Sequence, residues 1–229
     1  MKSSIPKPLH RLGDASMLEH VICEGKKLDP DRLIVVYNDE RVKKKALDCG
    51  CETALQEQAL GTADALKAAF KNFQIKGTVL VSCSDIPLVS FSVYERLYLK
   101  HVAESDYITL LAARAPDPEG YGRVVKGEKG SLRIVEEKEA GEEEKQIDLI
   151  NSGIYCMEAE GLEEYLSMIK KSPVKGEYYL TDVVQIAGEN AEKVGLIECE
   201  HDLIMGVNTK QNLKKAQSKL EKKTGRGNE

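Results

Sequence analysis

The chain has 229 residues, of which 41% are hydrophobic and 31% charged, enough to bury one substantial core without requiring a second. Its formal net charge of -5 excludes nucleic-acid binding through the phosphate backbone, which needs a concentrated excess of Lys and Arg. A small anionic ligand stays open, because a few placed cations and backbone amides suffice to hold it.

In chain order, the first feature is Lys7 between Pro6 and Pro8, either a restrained cation or an ordinary surface-loop lysine. Asp14 is placed to cap a helix whose Met17, Leu18, Val21 and Ile22 form one apolar face. Leu33 to Tyr37 is short and rich in β-branched residues, as a buried strand is. Leu60-Gly61-Thr62-Ala63 then opens a helix, Thr62 to Phe73, whose free amides are suited to an anion or a base edge.

Thr78 to Cys83 and Tyr107 to Ala113 are further strands, so strand and helix alternate as in a mostly parallel sheet with right-handed crossovers. Asp85 follows the first of these, before Ile86-Pro87-Leu88. Ligands of open α/β sheets bind beyond the carboxyl ends of strands, so Asp85 is either a cation ligand or a turn cap. From Gly120 the pattern changes: the runs Gly122 to Lys126, Leu132 to Glu136 and Leu149 to Met157 lie close together, with Gly127 and Gly130 between two of them. This predicts a small antiparallel insertion.

Leu180 to Ala187 reads as a helix, Val194 to Cys199 as a late strand and Thr209 to Lys223 as a closing helix, with Thr224 to Glu229 a disordered tail. Leu203 to Val207 leads into Asn208, which is either the cap of that last helix or a second metal ligand. Mg2+ takes one or two protein oxygens and fills its other sites with water and phosphate, so Asp85 and Asn208 would suffice if they converge. The expected organisation is one nucleotide-binding domain over 1–208 and a helix with tail over 209–229.

Six cysteines, at 23, 49, 51, 83, 156 and 199, are scattered among apolar runs behind no signal peptide, which predicts reduced thiols and a cytoplasmic protein. Cys49 and Cys51 lack a second Cys or His pair at zinc spacing. No apolar run approaches the roughly 18 residues of a membrane span.

Eight segments in one order carry a resemblance. They are Met1 to His10, Leu60-Gly61-Thr62, Asp85-Ile86-Pro87-Leu88, Gly120-Tyr121-Gly122-Arg123-Val124, Ile134 to Lys138, Ile150-Asn151-Ser152-Gly153, Gly176 to Asp182 and Gly206-Val207-Asn208. Together they resemble bacterial N-acetylglucosamine-1-phosphate uridyltransferase, the first half of a bifunctional enzyme of cell-envelope precursor synthesis.

The resemblance implies a Rossmann-like nucleotide-diphospho-sugar transferase fold: an α/β domain with a mostly parallel mixed sheet flanked by helices. It implies transfer of UMP from UTP to N-acetylglucosamine-1-phosphate with Mg2+ as cofactor. Lys7 would contact the nucleotide phosphates, and Gln56, Gly61 and Thr62 would read uracil. Gly122, Glu136 and Asn151 would line the sugar pocket, and Asp85 and Asn208 would hold the metal.

Three positions depart from the family pattern: Ser84 stands where it has Gly, Cys83 where it has Tyr and Ala59 where it has Gln. The segments also begin after the family's glycine-rich phosphate loop and first strand, and nothing resembles its acetyltransferase β-helix. From this follow the expectations that Met1 is an internal methionine, that the acetyltransferase activity is absent and that the chain is a monomer or weak dimer. The alternatives are a sugar-nucleotide-binding remnant with little turnover, and a related enzyme using another sugar or base.

Overall fold

The computed structural model describes residues 3–127 and 130–223. The disordered tail expected at Thr224 to Glu229 and part of the turn between Gly127 and Gly130 lie outside them. Early in the chain, β1 (Arg11–Leu12) and β2 (Ala15–Ser16) form a tight hairpin that delivers α1 (Met17–Lys26). The cap of α1 is Ser16 rather than Asp14, which lies within the hairpin turn. The Ser16 hydroxyl accepts from Glu19 N at 3.3 Å, and the Glu19 carboxylate accepts from Ser16 N at 2.7 Å. Two otherwise unpaired amides are satisfied by this exchange.

Next come β3 (Ile34–Tyr37), α2 (Glu40–Asp48), β4 (Glu52–Leu55), α3 (Thr62–Asn72), β5 (Thr78–Val81), α4 (Phe91–Glu104) and β6 (Ile108–Arg114). After them follow β7 (Arg123–Lys126), β8 (Leu132–Val135), the short α5 (Glu142–Lys145) and the ten-residue β9 (Leu149–Glu158). The chain closes with α6 (Leu162–Met168), α7 (Asp182–Glu189), β10 (Val194–Cys199) and α8 (Lys210–Lys223).

β6 and β9 form the centre because both are apolar on both faces. Ile108, Leu110 and Ala112 of β6, with Tyr155 and Met157 of β9, pack against α3, α6 and α7. Leu111 and Ala113, with Ile150, Ile154 and Cys156, pack against α4 on the other side. This two-residue alternation between two helical layers produces the sandwich. β10 adds to β6 in parallel, whereas β9 runs antiparallel to β5, β6 and β7, so the sheet is mixed. The run at 149–157 was expected within a small insertion; it is a central strand of the main sheet, and the antiparallel hairpin proper is β7 with β8.

β9 is irregular at one place. Leu110 pairs with Tyr155 and Ala112 with Asn151, so Ser152, Gly153 and Ile154 stand opposite the single residue Leu111. Gly153 supplies the left-handed backbone this needs, at φ +77°, and Ser152 Oγ donates to Leu111 O at 2.6 Å.

β3 and β4 pair in parallel as a separate two-stranded sheet. β3 and β5 run the same way. Arg32, before β3, lies over the ring of Phe73, before β5, while Arg41 beyond β3 donates to Ser4 O and Asp85 beyond β5 receives Lys7. Among the described residues β3 pairs only with β4 and β5 only with β9, and their other edges face one cavity of about 1290 Å³.

All six cysteines are free thiols. No helix among the described residues is long and apolar enough to cross a membrane.

Candidate functional site

The same cavity continues past the carboxyl ends of the strands, where Gln56, Gly61, Gly122, Glu136, Asn151 and Asn208 line it, together with Thr62 and Asp85. Thus nearly every residue singled out from the sequence faces one space. Lys7 reaches its wall from outside, from a single 3-10 turn, Lys7–Leu9, entered through Pro6.

At one end, Lys7 Nζ donates to Asp85 Oδ2 at 2.5 Å and to Asn208 Oδ1 at 2.5 Å. The two oxygens therefore lie within twice that distance of each other. A backbone bond holds them side by side, Val207 N donating to Asp85 O at 2.8 Å. The alternative role of Asn208 as the cap of α8 is filled by Thr209, whose hydroxyl accepts from Asn212 N at 3.0 Å. The Lys7 ammonium stands in for a cation here, and a carboxylate plus a carboxamide oxygen is a donor set suited to Mg2+.

A second group forms the turn before α3. Gly61 has φ +113°, and a Cβ there would lie 2.4 Å from Tyr178 O and 2.7 Å from Tyr178 N, so only glycine fits. Tyr178 N donates to Leu60 O at 2.7 Å and Ala63 N to Tyr178 O at 3.0 Å. The Thr62 hydroxyl accepts from Leu180 N at 2.9 Å, so it braces the 177–180 segment. Gln56 Nε2 donates to Gly61 O and Asp64 Oδ2, at 3.0 and 2.9 Å, which leaves its carbonyl oxygen as the end for a ligand.

A third group also lines the cavity. Asn151 N donates to Gly122 O at 2.8 Å, and a Cβ at Gly122 would lie 3.6 Å from Glu136 Oε1. Glu136 accepts from the Thr181 hydroxyl at 3.1 Å. Burial pushes the Glu136 carboxyl above the usual range. Burial, then the nearby carboxylates of Glu139 and Glu136, push Asp182 up to about 6. Sequence reasoning named the 176–182 segment as a motif without assigning roles to Thr181 or Asp182. Their only sequence signal was that motif, since the contacts span more than forty residues.

Against this geometry stands one family-level finding: residues 2–222 match the model of the nucleotidyl transferase family. The chain belongs to that family. The nucleotidyl transferase is 37% identical over 223 residues to the bifunctional protein GlmU of Clostridium beijerinckii, covering 96% of this chain and 49% of that protein. It is 36% identical over 220 residues to the GlmU of Clostridioides difficile (95% and 48%) and 37% identical over 222 residues to that of Bacillus licheniformis (95% and 48%). The chain thus spans about half the length of the curated relatives it matches. The resemblance drawn from the eight segments agrees with this coverage and with the mixed α/β sheet flanked by helices.

Proposed function

We propose that this nucleotidyl transferase moves UMP from UTP to N-acetylglucosamine-1-phosphate, giving UDP-N-acetylglucosamine and pyrophosphate in the cytoplasm. The observation that carries the reading is the meeting of Asp85 and Asn208 on one cationic point, in a cavity that Gly122, Glu136, Asn151 and Thr181 also line. Charge-binding oxygens and hydroxyl-binding groups on one cavity match a sugar phosphate held by both.

In the reaction, an oxygen of the sugar phosphate forms a bond to the α-phosphorus of UTP, and the bond to the β-phosphate oxygen breaks, its electron pair leaving with pyrophosphate. The attacking oxygen is already ionised at neutral pH, so no side chain removes a proton. Gln56 and the Gly61 turn hold the base, Glu136 and Asn151 hold the sugar, and Lys7 offsets phosphate charge, which together align the two phosphates. Bound between Asp85 and Asn208, Mg2+ would supply charge neutralisation of the reacting phosphates.

Pyrophosphate release measured across several sugar-1-phosphates and nucleotides tests this. The expected result is Mg2+-dependent release with UTP and N-acetylglucosamine-1-phosphate; a preference for glucose-1-phosphate or another base would replace the assignment with a sister activity. A second reading, binding of the sugar nucleotide without efficient turnover, draws on the Lys7 ammonium lying between the two metal-type oxygens. Calorimetric binding of the product alongside undetectable turnover would select it.

A further inference from the structure

The three residues expected to line the sugar pocket share one rung of the sheet. Arg123 of β7 lies opposite Val135 of β8 and Ile150 of β9, and Gly122, Glu136 and Asn151 are the chain neighbours of those three. Successive side chains of a strand point to opposite faces, so the Arg123 side chain sits behind the face that its neighbours present to the cavity. Gly122 has little slack there: a Cβ on it would lie 3.1 Å from Ile134 Cγ2, and its carbonyl oxygen accepts from Asn151 N at 2.8 Å.

Arg123 is charged, yet only 1% exposed. Its Nη2 donates to Glu137 Oε2 at 2.7 Å and to Lys145 O at 3.4 Å, and its Nη1 donates to Tyr121 O. The same Glu137 oxygen accepts from Gly120 N at 3.2 Å. One guanidinium and one carboxylate therefore grip residues 120 and 121 and tie them to the end of β8 and to α5. A buried ion pair is costly to desolvate and often adds no stability over apolar residues of similar size, so packing alone does not call for it. A rigid fork that reaches several oxygens at once does what neither an apolar residue nor a lysine can do, which is to fix the path of the loop.

We propose that Arg123, held by Glu137, is a positioning residue of the sugar pocket: it clamps the 120–122 loop to residues 136–137, so that Gly122, Glu136 and Asn151 are in place before the ligand arrives. Neither Arg123 nor Glu137 lines the cavity itself. Without the clamp, binding has to order the loop first. That cost falls on the sugar and not on the base and phosphates, which Gln56, Gly61, Lys7 and Asp85 meet elsewhere in the site. This inference rests on the sugar-nucleotide reading.

The test is calorimetric binding of UDP and of UDP-N-acetylglucosamine to the full chain and to Arg123→Lys, which keeps the positive charge but not the fork. UDP shares the base and phosphates, so the change in the ratio of the two affinities isolates the sugar contacts. Arg123→Lys should weaken UDP-N-acetylglucosamine about tenfold, the scale of one lost hydrogen bond to a charged group, and leave UDP within about twofold. A merely structural role would weaken both ligands alike. That outcome, or unchanged affinity for both, would overturn the proposal. Should Arg123→Lys fail to fold, Glu137→Ala cuts the clamp at its partly exposed end, and there too an equal loss for the two ligands, or none, would overturn it. A wild-type chain that binds UDP but not UDP-N-acetylglucosamine fails at the prior step, the sugar assignment itself, and takes the proposal with it.

Discussion

Gly61 and Tyr178 meet with no room for a methyl group: a Cβ at 61 would stand 2.4 Å from the Tyr178 carbonyl oxygen. Backbone presses on backbone there, so no side-chain rotation relieves it. Gly61→Ala combines this overlap with an unfavourable positive φ and should destabilise the fold by roughly 2 to 4 kcal/mol. Urea denaturation measures it. A loss below about 1 kcal/mol would mean that the 177–180 segment moves away easily.

Asp85→Asn leaves the shape intact but removes the charge that draws a divalent cation. Turnover should fall on the order of a hundredfold or more, with the Mg2+ dependence shifted to higher concentration. Lys7→Ala removes the ammonium from between Asp85 and Asn208. Mn2+ should then bind the free protein more tightly, read by electron paramagnetic resonance, while turnover drops because the phosphates lose a cation. Unchanged Mn2+ affinity would separate Lys7 from the metal position.

Asp182 gives a pH signature with a definite sign. Its carboxyl is raised from 3.8 to about 6 in the folded chain, chiefly by burial and then by Glu139 and Glu136. An acid with a raised folded pKa binds its proton more tightly when folded, so its ionisation costs stability as pH rises through that window. Asp182→Asn should therefore match wild type in thermal midpoint below about pH 4, gain on it between pH 4 and 6, and hold a constant advantage above pH 7. An advantage that shrinks as pH rises would contradict the burial argument.

The free edges of β3 and β5 predict uneven amide exchange. Among the described residues β6 is paired on both sides, by β9 and β10, whereas β3 and β5 are each paired on one. Deuterium uptake at Ile34–Tyr37 and Thr78–Val81 should outrun that at Ile108–Arg114. Equal protection in all three strands would mean that the cavity between β3 and β5 closes in solution.

Much of this architecture was legible wherever a residue run declares its own environment. Thr78 to Cys83 and Tyr107 to Ala113 are apolar on both faces, as a covered strand is; β5 lies within the first, and β6 runs from Ile108 to one residue past the second, at Arg114. β4, by contrast, is Glu-Thr-Ala-Leu, mostly outside the core, and owes its strand state to pairing with β3 rather than to its own residues. α4 begins Phe-Ser-Val-Tyr, weak helix formers, and is held by Val93, Tyr94 and Leu97 packing on β6 and β9.

The cap of α1 was misassigned because Asp14 and Ser16 are both good caps, and only the hairpin register decides between them. In the site, residue types were readable but their meeting was not. The bond from Val207 to Asp85 and the strut of Tyr178 against Gly61 each join positions more than a hundred residues apart.

The extra residues of β9 have a consequence for how selectivity can change. Ser152, Gly153 and Ile154 depart from the regular ladder opposite Leu111 of β6, a strand that carries both layers of the core. On the proposed reading, recognition chemistry is thereby lodged beside a local defect of the scaffold, of whose three residues Ile154 alone belongs to the apolar core. Altered sugar preference should be reachable by a few replacements around this defect, with little effect on how firmly the remaining sheet holds together.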